Sequence, residues 1–319
     1  MVAAPVNALL LTLLLATPDA GAPPPVLPEF KRLAVKLEPM LESAWVKDWL
    51  RAVKELEPVK PSTWYCTKDK QRCASKDPKD PAYSPRLVND EYVYARITDP
   101  LGYARPLDVL AAAGFSPAGK KVLDFGYGNI GQLLMLSRLG AEVHGVEIDA
   151  LIPLATRSVI GKVVLHHGYF ASDAKLVKEL GQGFDLFLSK NTLKRGYVHP
   201  AEPKDAKGQI DLGLEDAKLL RLVFGMLEPG GYFYLYNLAP AQGQPYLPMA
   251  DGRCPWSREQ LQAAGFEVLA YDADDSTKAR QMGHLLEWDV TDSGLTDDLS
   301  RSLFATYTLL RRPTAPSRP

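Results

Sequence analysis

The chain has 319 residues, 46% of them hydrophobic and 24% charged, with a formal net charge of −1. That is enough apolar material for one large core plus an appendage. A nearly neutral chain has no global field to gather phosphate backbones or anionic lipid, so no nucleic-acid partner is expected.

In chain order, residues 1–22 come first: an apolar run at 8–16, a small-residue stretch Ala20-Gly21-Ala22, then three prolines. This is the pattern of a secretory signal peptide and predicts an exported protein, periplasmic or secreted. The alternative is a cytoplasmic protein whose N-terminus stays attached. The run falls short of the ~20 residues that span a bilayer, so no transmembrane segment is expected.

Residues 23–85 read as a helical and irregular extension. Leu33, Leu37, Leu41, Trp45, Trp49 and Val53 recur at four-residue steps, a helical period that Pro39 interrupts. Residues 58–90 are rich in Pro, Lys, Asp and Tyr without a period and read as a connecting segment. Cys66 and Cys73 flank the polar stretch TKDKQR. They suit either a short-loop disulfide in an exported protein or two reduced thiols. No histidine stands at ligand spacing from them, so no metal is predicted. Cys254 reads as an ordinary loop thiol.

From about Lys120 short apolar runs alternate with helical stretches: KVLDFG, AEVHGVEID, KVVLHHGYF, FDLFLSKN, YFYLYNLAP, FEVLAYD and LFATYTLLRR supply seven strands. Strands separated by helices predict a mostly parallel sheet covered on both faces, an α/β three-layer sandwich. Residues 313–319 read as a disordered tail.

VLDFGYGNIG, residues 122–131, is a strand running into G-x-G-x-x-G. Such a turn lets backbone approach a ligand and aims free N–H groups at it. Glycines and a following acid, Glu147, serve dinucleotide and other nucleoside sites alike. Asp124 separates them, because a carboxylate beside the loop repels a pyrophosphate and attracts a cation. A helix then ends in Pro-Gly-Gly and enters a strand, MLEPGGYFYLYN at 226–237. VLDFGYGNIG, GVEID, FDLFLSKN, LEPGGYFYLYN, FEVLAYD and FATYTLLRR in this order resemble the class I S-adenosylmethionine-dependent methyltransferases, over residues 86–312.

The resemblance implies a seven-stranded sheet with the last strand inserted antiparallel, and S-adenosylmethionine across the carboxyl ends of the first strands. Asp124, Gly126 and Gly128 would hold its methionine end, and Glu147 its ribose. Tyr169 and Phe170 would lie near the adenine, where an acid is usual, although such aromatics also suit the core; Tyr127, inside the loop, suits either closure over the cofactor or a surface ring. Methyl transfer is an in-line displacement that needs alignment and, for some acceptors, a base. The loop after the fourth strand, SKNTLKRGYVHP, offers Asn191 and His199 as candidate catalytic groups, and Lys194 and Arg195 as possible anchors for an acidic acceptor, a small molecule or a protein. The Pro-Pro-aromatic signature of nucleobase amine methyltransferases is missing there. The long loop at 237–256 and the insertion at 272–302 are candidates for walls of an acceptor pocket. A non-catalytic cofactor-binding or scaffold protein on the same fold is the main alternative, and export favours it, because S-adenosylmethionine is made in the cytosol. An NAD-dependent oxidoreductase rests on the glycines alone.

Overall fold

The computed structural model describes residues 26–156, 162–202, 209–290 and 296–314. The predicted signal peptide and residues 315–319 lie outside these. Helix α1 (Val26–Leu37) buries Leu27, Phe30, Leu33, Ala34 and Leu37, one stripe at helical spacing. Pro39 converts the next turn to a 3-10 turn, Glu38–Met40, before α2 (Ala44–Arg51) buries Val46, Trp49 and Leu50. The interruption expected at the proline is where the two helices part.

The segment read as a connector instead forms a small antiparallel sheet. Strands β1 (Ser62–Thr67), β2 (Cys73–Ala74) and β3 (Tyr83–Val88) lie in the order β2-β1-β3. Their side chains are mostly exposed or half-buried, so there was no apolar alternation to read. Cys66 and Cys73 face each other in register and form a disulfide. In the chain-entropy view so short a loop contributes about 2 to 3 kcal/mol.

Helices α3 (Asp90–Tyr94) and α4 (Ala104–Ala112) lead into the main sheet. It is built from β4 (Lys121–Phe125), α5 (Gly131–Arg138), β5 (Glu142–Glu147), α6 (Leu151–Ala155), β6 (Val164–His167), α7 (Ala174–Leu180), β7 (Phe184–Lys190), α8 (Arg195–Val198), α9 (Asp216–Met226) and β8 (Leu227–Ala239). It is completed by α10 (Arg258–Ala263), β9 (Glu267–Asp274), α11 (Ser276–Leu285), α12 (Leu299–Ser302) and β10 (Phe304–Arg311). The seven strands run in the order β6-β5-β4-β7-β8-β10-β9. The first five are parallel, and β10 is inserted antiparallel to both its neighbours. This is the predicted α/β architecture, including the antiparallel last strand.

The sheet has two cores, and strand alternation assigns residues to them. Val122, Leu186, Leu188, Tyr234 and Tyr236 face α1, α2, α4 and α5. Leu123, Phe125, Phe187, Phe233 and Leu235 face α7, α9 and α10. Side chains tie the N-terminal helices to their face: Asp108 accepts the Ser43 N–H at 2.9 Å and caps α2. Arg105 pairs with Asp275 at 2.8 Å, and the Tyr236 hydroxyl donates to the same carboxylate.

On the outer strands, His144 Nδ1 and His166 Nε2 lie 3.1 Å apart with their rings stacked, and Glu142 holds the far nitrogen of His144. Two ring nitrogens at this distance share one proton, and burial pushes both imidazoles below the usual histidine range. A depressed histidine binds its proton more readily in the unfolded chain, so the stability it gives is full above the unfolded value of 6.5 and is lost as pH falls below it. In urea titrations His166→Asn should remove part of the acid sensitivity between pH 6.5 and 5. Superimposable pH profiles would show that the pair does not titrate in this window.

Candidate functional site

The site predicted from sequence is the turn between β4 and α5, at the carboxyl edge of the sheet. Gly126 and Gly128 adopt φ of +73° and +62°, left-handed backbone that favours glycine. Their missing side chains leave room that this chain itself uses. A Cβ on Gly126 would collide with the Thr192 side chain, and one on Gly128 would sit 2.9 Å from Ile97 Cβ. Asn129 fastens the cover, its Oδ1 accepting the Ile97 N–H at 3.0 Å while its amide donates to the Thr98 carbonyl.

Tyr127 does not close over the turn from outside. Its ring runs into the core against Gly145 of β5, where a Cβ would lie 2.6 Å from Tyr127 Cδ1. The sequence carried a signal for this: a glycine inside a strand, VHGVE, marks close approach by a neighbour.

Asp124 is fully buried, on the face of the sheet that carries the N-terminal helices. Its Oδ2 accepts weakly from Gln132 Nε2 at 3.4 Å, and Oδ1 has no partner among the described residues. Burial pushes the carboxyl up to about 7, against the pull of Gln132, Tyr103 and Lys190. Lys190, the last residue of β7 and 4% exposed, shares this face, two positions beyond Leu188, which pairs with Asp124. Its Nζ donates to Thr98 Oγ1 at 2.9 Å and lies 5.0 Å over the Tyr103 ring. Burial lowers the ammonium to about 8, opposed by the charges of Asp99 and Asp124. Asp99 accepts from the Leu101 N–H and Trp288 Nε1. Lys190 was visible in the sequence as a charge ending an apolar strand, FDLFLSK, but only the register reveals that it faces Asp124.

The acid at the end of β5 is engaged as well. Glu147 accepts the Gly128 N–H at 3.1 Å and the Ile148 N–H at 2.8 Å. The tip of the disulfide hairpin lies over the ends of β5 and β6: Lys70 O accepts from Ala150 N, Gln71 Nε2 donates to Ile148 O at 2.7 Å, and Gln71 Oε1 meets His167 at 3.0 Å. Tyr169 is 50% exposed, whereas Phe170 is buried in an aromatic cluster with Phe125 and Phe187.

In the loop after β7, Asn191 has φ +63° and its Oδ1 accepts the Leu238 N–H at 2.6 Å, joining the ends of β7 and β8. His199 pairs with Asp216 at 2.9 Å, and Asp216 also accepts from Trp256 Nε1. Lys194 is buried, donates to the Met249 carbonyl at 2.7 Å and is lowered to about 8 by burial. Arg195 lies 3.9 Å from Asp251. The loop at 237–256 thus packs against this segment. Asp124, Gly126, Tyr127, Gly128 and Glu147 gather at one turn, while Asn191 and His199 are each held by partners of their own.

As arranged, these residues do not fit S-adenosylmethionine. The glycine space holds Thr192 and Ile97, the ribose acid serves the backbone, and the carboxylate meant for a cation already feels the charge of Lys190 on the same face of the sheet. Two clefts open elsewhere, one of about 500 Å³ between α7 and α9 and one of about 330 Å³ between Lys36, residues 284–290 and Thr296.

Lys190→Met would remove the Thr98 bond and the cation that opposes burial at Asp124, and should lose about 2 to 3 kcal/mol of unfolding free energy. Asp124→Asn, replacing a carboxyl already pushed towards its neutral form, should cost only about 1 kcal/mol. Urea denaturation of both variants checks this, and the reverse ranking would make Asp124 the indispensable member.

No protein-family model and no curated protein matches this chain. Among solved structures, the [4+2]-cyclase SpnF is similar at 18% identity, over 66% of this chain and 81% of its own, with a TM-score of 0.42. A geranyl diphosphate C-methyltransferase from Streptomyces coelicolor, solved with S-adenosylhomocysteine, is similar at 14% identity over 66% and 78%, TM-score 0.41. An S-adenosylmethionine-dependent methyltransferase from Mesorhizobium loti is similar at 15% identity over 66% and 98%, TM-score 0.39. The chain's own strand order and inserted antiparallel strand give it the class I methyltransferase fold, on which its structural neighbours at low identity include S-adenosylmethionine-dependent methyltransferases and a cyclase.

Proposed function

We propose that this chain is a non-catalytic member of the methyltransferase fold, a scaffold or binding protein that has closed its donor site with its own side chains. The observation that carries this reading is the turn filled by Thr192 and Ile97, where a ligand would have to approach Gly126 and Gly128. S-adenosylmethionine would also bring a sulfonium and an ammonium towards a buried carboxyl whose field Lys190 already opposes, and like charges in a dry site repel. The leader-like N-terminus and the Cys66–Cys73 disulfide support an oxidising compartment outside the cytosol, where the methyl donor is not made.

A second reading keeps the enzyme: a methyltransferase acting on a small molecule or protein, whose cover swings away when the cofactor binds. It is favoured by three buried polar atoms, Asp124 Oδ1, Tyr127 Oη and Gln132 Oε1, that have no partner among the described residues. In that reading Asp124, Gly126, Gly128 and Glu147 would take the cofactor, and His199 or Asn191 would have to leave its present partner to reach an acceptor.

Calorimetric titration of the oxidised chain with S-adenosylhomocysteine separates the two. We expect no saturable heat and no rise in Tm. Binding at a one-to-one ratio that disappears in Asp124→Ala, with the variant still folded, would overturn the scaffold reading and favour the enzyme.

A further inference from the structure

We infer that Lys70, Arg86 and Arg96 form a binding site for a phosphate-class oxyanion, beneath the disulfide-closed hairpin at the end of β5. This goes beyond the scaffold reading and does not rest on it, since these residues lie outside the Asp124 and Lys190 group.

Positive charge outweighs negative here, and donors are left unused. Three cations approach this spot from three segments, Lys70 from the hairpin tip, Arg86 from β3 and Arg96 from the turn after α3. The carboxylate among them, Asp149, is saturated. Its Oδ2 takes Arg96 Nη1 at 2.6 Å, the Tyr92 hydroxyl at 3.2 Å and the Lys70 ammonium at 3.4 Å, and its Oδ1 takes the Leu151 N–H at 2.9 Å. Glu147 is spent on two backbone N–H groups. The Nε–H donors of Arg86 and Arg96 are buried and meet no acceptor among the described residues. Buried guanidinium donors without acceptors are rare, because they keep the desolvation cost without the compensating bond.

The arrangement is also preorganised. The Arg96 side chain is 6% exposed and its guanidinium lies 4.7 Å over the Tyr92 ring, so it does not swing to water. Lys70 is 34% exposed and leaves the cluster open to solvent on one side. Its ammonium is pushed below the ordinary lysine range by burial first and then by Arg96, with Arg86 adding to the repulsion, whereas Asp149 acts the other way. A phosphate or a ligand's phosphoryl group offers several acceptor oxygens on a compact negative charge, and arginine's planar fork suits it. The disulfide holds the hairpin that presents Lys70.

The test uses the oxidised full chain, with Tm followed in inorganic phosphate against sodium chloride at matched ionic strength, and then in adenosine monophosphate. A ligand that binds the folded state alone raises Tm in a saturable way. Wild-type protein should show this, and both Arg86→Gln and Lys70→Met should weaken the apparent affinity about tenfold or more. Tighter binding of the nucleotide would assign the anion to a nucleotide's phosphoryl group, and equal binding to free phosphate. A rise that is equal in wild type and variants, or no rise, would overturn the proposal. Should Arg86→Gln fail to fold, Lys70→Met at the partly exposed rim carries the test.

Discussion

A lysine ammonium sealed between the sheet and the N-terminal segment, facing Asp99 and Asp124, is the constraint on which this structure turns. Lys190 and Asp124 are buried and Asp99 is half-buried, and their opposite charges limit one another's cost. Their juxtaposition requires that the 98–103 segment lie flat against the ends of β4 and β7, because Thr98 and Tyr103 also hold Lys190. That placement sets Ile97 over Gly128, and with it the whole cover of the turn. The closure thus follows from charge balance in the layer beneath it as much as from shape.

Much of the fold was legible because burial leaves a pattern. The inner strands are buried on both faces and read as apolar runs such as VLDF and FDLFL, and the glycine turn announced where the sheet's carboxyl edge lies. The hairpin sheet was not legible, because β1 and β3 expose much of themselves and β3 contains Pro85. The site was half legible. Asp124, the glycines and Glu147 do gather at one place, but what each touches depends on side chains brought in from residues 70, 97, 190 and 192. Local sequence carries no record of such meetings, although strand parity placed Lys190 and Asp124 on one face once the strand neighbours were known.

The hairpin and the helices before it also change the meaning of the N-terminal region. It covers one face of the sheet, and its loop reaches the ends of β5 and β6 through Ile148, Ala150 and His167. The carboxyl edge, the usual place for a ligand on a parallel sheet, is therefore roofed by residues that precede the sheet in the chain. What remains reachable there is polar and cationic at Lys70 and apolar at Ile97, Ile148 and Tyr169, these three each exposed by half or more. Among the described residues no helix is long and apolar enough to cross a membrane.

The strand that comes last in order lies inside the sheet, wedged between β8 and β9. Until residues 304–311 arrive, β9 has nothing to pair with and β8 presents a bare edge whose Tyr234 and Tyr236 should be under cover. Assembly of this half of the molecule therefore waits on distant pairings that enter late, which makes it slow by topology.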